Sequence, residues 1–199
     1  MTAARPVEET IGRGAGPRRA RRAVIVLGLV ALVSYLADLG TKQLALSNLE
    51  GREPIRLLGG AVHLTLTFNS GAAFGLGADY NWIFSVITIA VIGWIGWMAL
   101  RLRSVPWAVS LGLVLGGALG NLTDRLFRDP GPFVGHVVDM ISLFDPYGQV
   151  WPIFNLADSS LVAGVLLAVL LEFTGRRHDG TRSTDAVAKT DHAPTEESA

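Results

Sequence analysis

The chain has 199 residues, 50% of them hydrophobic and only 17% charged, with a mean hydropathy of +0.40. That charge content is low for a soluble domain, and the apolar residues come in long blocks, which suits one membrane bundle with polar tails. Formal net charge is zero, so overall charge points to no nucleic-acid partner, and the lack of cysteine excludes disulfides, thiol nucleophiles and cysteinyl metal sites.

Residues 1–22 are polar, contain Gly and Pro, and end in Arg18-Arg19-Ala20-Arg21-Arg22, which reads as a flexible cytoplasmic tail. Residues 23–46 form the first apolar span, about 24 residues and long enough to cross ~30 Å of hydrocarbon at ~1.5 Å per residue. Basic residues before an apolar run also suggest a signal peptide, but this run is long, contains Asp38 and Lys42, and lacks a small-x-small cleavage site. Residues 63–68 alternate at period two and read as a strand, pairing with 55–58 across Gly59-Gly60. Asn69-Ser70-Gly71-Ala72-Ala73-Phe74-Gly75 follows as a glycine-punctuated turn, so a small β-cradle is expected over about 54–75.

A second span, 82–100, carries no charge until the connector Arg101-Leu102-Arg103-Ser104. The third, about 107–126, holds Gly116, Gly117 and Gly120, which allow close helix approach. Residues 127–153 read as a loop with Pro130, Pro132, Pro146 and Pro152. The fourth span is 155–173, and 175–199 reads as a disordered, charged cytoplasmic tail. The expected fold is a mainly α membrane protein: a four-transmembrane-helix bundle over 23–174 with a small extracytoplasmic β-cradle. The tails and the short basic connector hold 12 of the 17 Lys and Arg residues, which puts both termini in the cytoplasm and both long loops outside.

Depth along the spans singles out a polar layer. Asp38 lies about 15 residues from the inner start of span one, Asn121 about 14 from that of span three, and Asp158 about 15 from the inner end of span four. Each is therefore ~21–23 Å from the inner face, in the outer leaflet, above an apolar floor. A channel or transporter needs polar stations through the whole depth, so one layer suits a site acting on something already in the membrane. A non-catalytic scaffold is the other rival, and it would tolerate loss of these residues.

Asn121, Asp124 and Arg125 sit at i, i+3 and i+4 and share a helix face, either as a binding cluster or as an Asp–Arg pair that neutralises itself. Asp38 and Lys42 are an i, i+4 pair, read as structural or supporting. Asn155 and Asp158 fit an N-cap and its N3 acid, a role compatible with chemistry at Asp158. Asp139 has no such helical explanation. It follows Val137-Val138 in a stretch that must return to the membrane. His136-x-x-Asp139 with Asp158 raises a zinc site, but the spacing is generic and no second histidine is placed to join it.

Five segments together resemble bacterial lipoprotein signal peptidase (signal peptidase II), a family of intramembrane aspartyl proteases. They are Asp38-x-x-Thr41-Lys42, Asn69-Ser70-Gly71-Ala72-Ala73-Phe74-Gly75, Gly120-Asn121-Leu122-Thr123-Asp124-Arg125, His136-Val137-Val138-Asp139 and Phe154-Asn155-Leu156-Ala157-Asp158. They occur in the family's order over residues 23–173. Departures are Met140, where a larger aromatic is expected, a lengthened connection at 126–135, and longer tails. The resemblance implies that Asp139 and Asp158 are catalytic, and that Asn69, Asn121, Asp124, Arg125 and Asn155 line the substrate site. It implies cleavage before a lipid-modified cysteine in a prolipoprotein, in the bacterial cell membrane, by a monomer among membrane lipids, with no cofactor or metal. Two nearby carboxylates would share a proton and exchange acid and base roles.

Overall fold

The computed structural model describes residues 15–71 and 81–181. Residues 72–75 of the expected turn, the connection from there to residue 80, and residues 1–14 and 182–199 of the two tails lie outside that set. Among the described residues, four helices are long and apolar enough to cross a membrane: α1 (Ala15–Leu49), α2 (Trp82–Ala99), α3 (Val105–Phe127) and α4 (Leu156–Phe173). Three short strands accompany them: β1 (Ile55–Leu57), β2 (Val62–Asn69) and β3 (Val137–Leu143). The protein is a mainly helical, multi-pass membrane protein.

α3 is the central helix because small residues let its neighbours close on it. A Cβ on Gly112 would sit 2.9 Å from the Leu27 carbonyl, and one on Gly116 2.7 Å from that of Ala31, so these two glycines seat α1. A Cβ on Gly117 would collide with the Ala157 carbonyl, so this glycine seats α4. Hydrogen bonds add to these contacts: Ser110 of α3 donates to the Gly164 carbonyl of α4 at 2.8 Å, and Ser34 ties α1 to α4 through the Ser160 hydroxyl at 2.8 Å. By contrast the outer faces of α1 and α4 leave Leu29, Val33, Val162 and Leu166 more than half exposed, as a lipid-facing surface requires.

The sheet is antiparallel in the order β1-β2-β3. β1 and β2 realise the expected hairpin, with Arg56 opposite His63 and a short 3-10 turn at Leu58–Gly60. β3 is a correction: residues 127–153 read as loop, yet Val137–Leu143 pairs along β2 with Thr67 opposite Asp139. Its first four residues are all buried, so no polar–apolar alternation marks it. A register shift between Leu64 and Thr67 interrupts the β2–β3 ladder beside Asp139. On its other edge β3 holds the chain entering α4, because Met140 and Ile141 both donate to the Phe154 carbonyl, at 3.1 and 2.8 Å.

Two further differences lie at the chain's ends. α1 begins at Ala15, so the arginine run lies on a helical extension and not in a tail. Ala20 and arginines are good helix formers and simply continue the apolar helix outward. At the other end, residues 175–181 are ordered instead of forming the start of a solvated tail. Arg103 and Ser104 donate to the His178 carbonyl at 2.9 and 3.1 Å, and the Trp107 indole donates to the Arg176 carbonyl at 2.7 Å.

Candidate active site

The site forms where β3 meets the first turn of α4. Asn155 is the N-cap of α4, and its side-chain oxygen accepts from the Asp158 N–H at 2.9 Å. Asp158 completes the capping box, accepting from the Asn155 N–H at 3.1 Å. The Asn155 amide still has its NH2 free for work, and it donates to Asp139 Oδ1 at 2.7 Å. One fully buried asparagine thus touches both aspartates, which the Phe154–Ile141 bridge has already drawn together.

Each carboxylate has a second amide. Asn69, the last residue of β2, donates to Asp139 Oδ2 at 2.9 Å and is itself fixed by the Gly71 N–H at 2.7 Å. Asn121 donates to Asp158 Oδ1 at 2.8 Å. The Asn121 oxygen is taken by Lys42 Nζ at 3.0 Å and the Asn155 amide at 3.1 Å, which orients its NH2 toward Asp158.

Lys42 is itself fully buried and uses its other protons on Asp38 at 2.7 Å and Asp124 at 2.8 Å. Asp38 reaches on to the Ala157 N–H at 2.9 Å, in the first turn of α4. The expected convergence of Asp38, Asn121 and Asp158 at one level is therefore a connected network. Asp124 does not pair with Arg125: it holds Lys42, Arg128 and the Val138 N–H of β3. Its carboxylate is buried and held by these protein groups. Arg125 turns the other way, donating to Asn81 and lying 5.1 Å above the Phe84 ring.

Burial pushes the Asp139 carboxyl up from its ordinary 3.8 to about 7. The amides of Asn69 and Asn155 oppose this rise, and the neighbouring Asp158 reinforces it. Asp139 borders an open cavity of about 410 Å³ with Asn69, Ser70, Tyr147 and Pro152. A second cavity, about 210 Å³ between α2, α3 and α4, ends at Asn121 and Arg125 over Phe84, Ile87 and Leu161. His136, which the zinc reading needs, lines another cavity with Phe127, Arg128 and Asp129. Among the described residues no three His, Cys, Asp or Glu side chains are grouped to hold a metal.

Asn81 is a further residue of the site that the sequence pattern does not single out: it is buried, takes the Arg125 guanidinium and donates to the Val134 carbonyl at 2.9 Å. Its one signal was an amide directly before an uncharged span. Ser85 likewise ties α2 to the 127–136 connection through the Phe133 carbonyl at 2.6 Å.

The family model described as signal peptidase (SPase) II matches residues 30–174, nearly the whole bundle. The chain belongs to the signal peptidase II family. Among relatives of this family, the lipoprotein signal peptidase of Streptomyces coelicolor is 50% identical over 167 residues, covering 84% of this chain and 79% of that protein. That of Mycolicibacterium smegmatis is 40% identical over 198 residues, covering 96% of this chain and 82% of its own length. A bacterial membrane enzyme solved by the in meso method at 1.9 Å superposes with a TM-score of 0.60 at 30% identity, over 71% of this chain and 88% of that one. As a signal peptidase II the chain is a protease of lipoprotein processing, and the aspartate–asparagine cluster lies inside the matched residues.

Proposed function

We propose that Asp139 and Asp158 form an acid–base pair that hydrolyses the peptide bond before the lipid-modified cysteine of a prolipoprotein. The observation that carries this is Asn155, which hydrogen-bonds both carboxylates while Asn69 and Asn121 each hold one of them. Four of the ordinary needs of such a pair are met: proximity, fixed orientation, an open face and a carboxyl poised near neutrality.

At rest the pair holds one proton, and the burial of Asp139 favours its place there. Ionised Asp158 takes a proton from water, and the resulting hydroxide attacks the scissile carbonyl carbon. Asp139 gives its proton to the carbonyl oxygen, so the tetrahedral intermediate is neutral. When it collapses, the C–N bond breaks, Asp158 protonates the departing amine and Asp139 recovers its proton from the gem-diol. No metal or cofactor enters these steps. Asn69 and Arg125 border the two cavities that flank the pair, and they are the proposed substrate contacts beside the positioning amides Asn121 and Asn155.

The substrate's apolar signal segment would lie among α2, α3 and α4, with the lipid chains along the bundle. Both termini are proposed to be cytoplasmic, with the sheet outside and the pair at the outer leaflet. Because the chain has no cysteine, Glu53→Cys should react with an impermeant maleimide in intact cells and Thr181→Cys should not. The main test is cleavage of a lipidated prolipoprotein by purified protein. Asp139→Asn and Asp158→Asn should each lose at least about 10³-fold in rate. Normal turnover by either folded variant would sink the pair.

A further inference from the structure

At the end of the bundle opposite the aspartates, a cavity of about 450 Å³ lies between α1, the start of α3 and the ordered C-terminal segment. Arg19 and Arg22 enter it from one face of α1, at i and i+3, and Arg103 from the α2–α3 connector. None of the three has a carboxylate partner among the described residues. Ser104, the N-cap of α3, makes no side-chain capping bond, and Pro106 stands in the first turn, so the positive helix end opens into the same space. One acid, Asp179, also borders the cavity. Its carboxylate is engaged by the Thr181 N–H and hydroxyl at 2.9 and 2.7 Å.

We propose that this cavity binds the phosphodiester headgroup of an anionic membrane phospholipid. Three guanidiniums and a helix start converge there, and among the described residues the single carboxylate of Asp179 faces them. Guanidinium forks suit phosphate oxygens, and basic pockets at the ends of membrane helices are where such headgroups are held. Depth favours a lipid over a free anion. Arg22 directly precedes the apolar run of α1, and at this same end Leu100 and Phe173 are 83% and 87% exposed, offering acyl chains an apolar rim. The ordered segment 175–181 then has a purpose: its contacts to Arg103, Ser104 and Trp107 close the cavity's far wall.

The test titrates the full chain, in neutral detergent, with phosphatidylglycerol, phosphatidylcholine or inorganic phosphate, and counts bound molecules by native mass spectrometry. Phosphatidylglycerol should bind at one site and clearly more tightly than the other two. Arg103→Gln should weaken it about fivefold, and the Arg19→Gln/Arg22→Gln/Arg103→Gln variant on the order of a hundredfold. Arg101→Gln is the control, because it removes the same charge two residues away, from a side chain stacked 5.0 Å over Trp97. It should change affinity less than about twofold. Equal losses from Arg101→Gln and Arg103→Gln would reduce the site to a diffuse basic face and overturn the proposal. So would phosphatidylcholine or inorganic phosphate binding as tightly as phosphatidylglycerol. Neither result depends on which side of the membrane the termini occupy.

Discussion

Lys42→Met tests the network beneath the aspartates. Lys42 is fully buried, and its ammonium contacts Asp38, Asp124 and the Asn121 oxygen within 3.0 Å. Methionine matches the stem but leaves two buried carboxylates facing each other's field. Breaking a buried ion pair in this way costs about 3–5 kcal/mol. For a chain of this length that corresponds to a fall of very roughly 6–20 °C in thermal midpoint. Adding Asp38→Asn should recover a large part of the loss, because the amide oxygen it introduces can still accept the Ala157 N–H while Asp124 keeps Arg128. The assay is thermal unfolding of the purified single and double variants in detergent, read as a double-mutant cycle. Cleavage should fall in the single variant even where it remains folded, since Asn121 loses the contact that aims it at Asp158. A single variant within about 1 kcal/mol of wild type, or a coupling near zero with Asp38→Asn, would refute the idea that Lys42 holds these carboxylates.

The remaining predictions concern the pair and its mounting. Since the folded Asp139 carboxyl titrates at about 7 instead of 3.8, the folded state holds the extra proton between those values, and stability should fall as pH rises through that window. Asp139→Asn should remove this slope, worth on the order of 4 kcal/mol in total, and thermal midpoints recorded from about pH 4 to 8 would reveal it. Asn155→Ser keeps an N-cap acceptor for Asp158 but loses the amide to Asp139, so activity should drop at least about 10²-fold with a smaller stability loss than Asn155→Ala, whose missing cap alone costs about 1 kcal/mol. Gly117→Val should push α3 from the Ala157 carbonyl and lower stability by about 1–3 kcal/mol, read by thermal unfolding, and loosen Asn121 from Asp158 as a slower cleavage rate.

Much of this site was legible because a membrane makes polar residues rare and their depth countable. Asp38, Asn121 and Asp158 fell at one level by residue count, and in the structure a single lysine and one helix turn join them. The capping box at Asn155 and Asp158 was equally readable, since its spacing is local. What was lost needed non-local information. β3 is buried along both faces where it carries Asp139, so the pattern that marks a half-exposed strand is missing. The partner of Asp124 could not be read from its neighbour: adjacent helix positions diverge, so Arg125 faces Asn81 and Phe84 while Asp124 faces Lys42 and Arg128. The C-terminal segment looked like a tail because its hold on α3 comes mainly from backbone carbonyls, which composition does not display.

The pairing of Asp38 with Lys42 has a consequence for how the protein is made. Their partners on α3 and α4 lie 79 residues or more further along the chain, so α1 meets the membrane before those partners exist. A lone charge within an apolar span opposes insertion, by about 3 kcal/mol at the helix centre and less toward its end. Four residues apart on one helix, the two can neutralise each other at once, and α1 enters carrying its own counter-ion. Only later do Asn121, Asp124 and Ala157 arrive to share that pair. The salt bridge that finally braces the site would first serve as the pass by which its oldest helix crosses the bilayer.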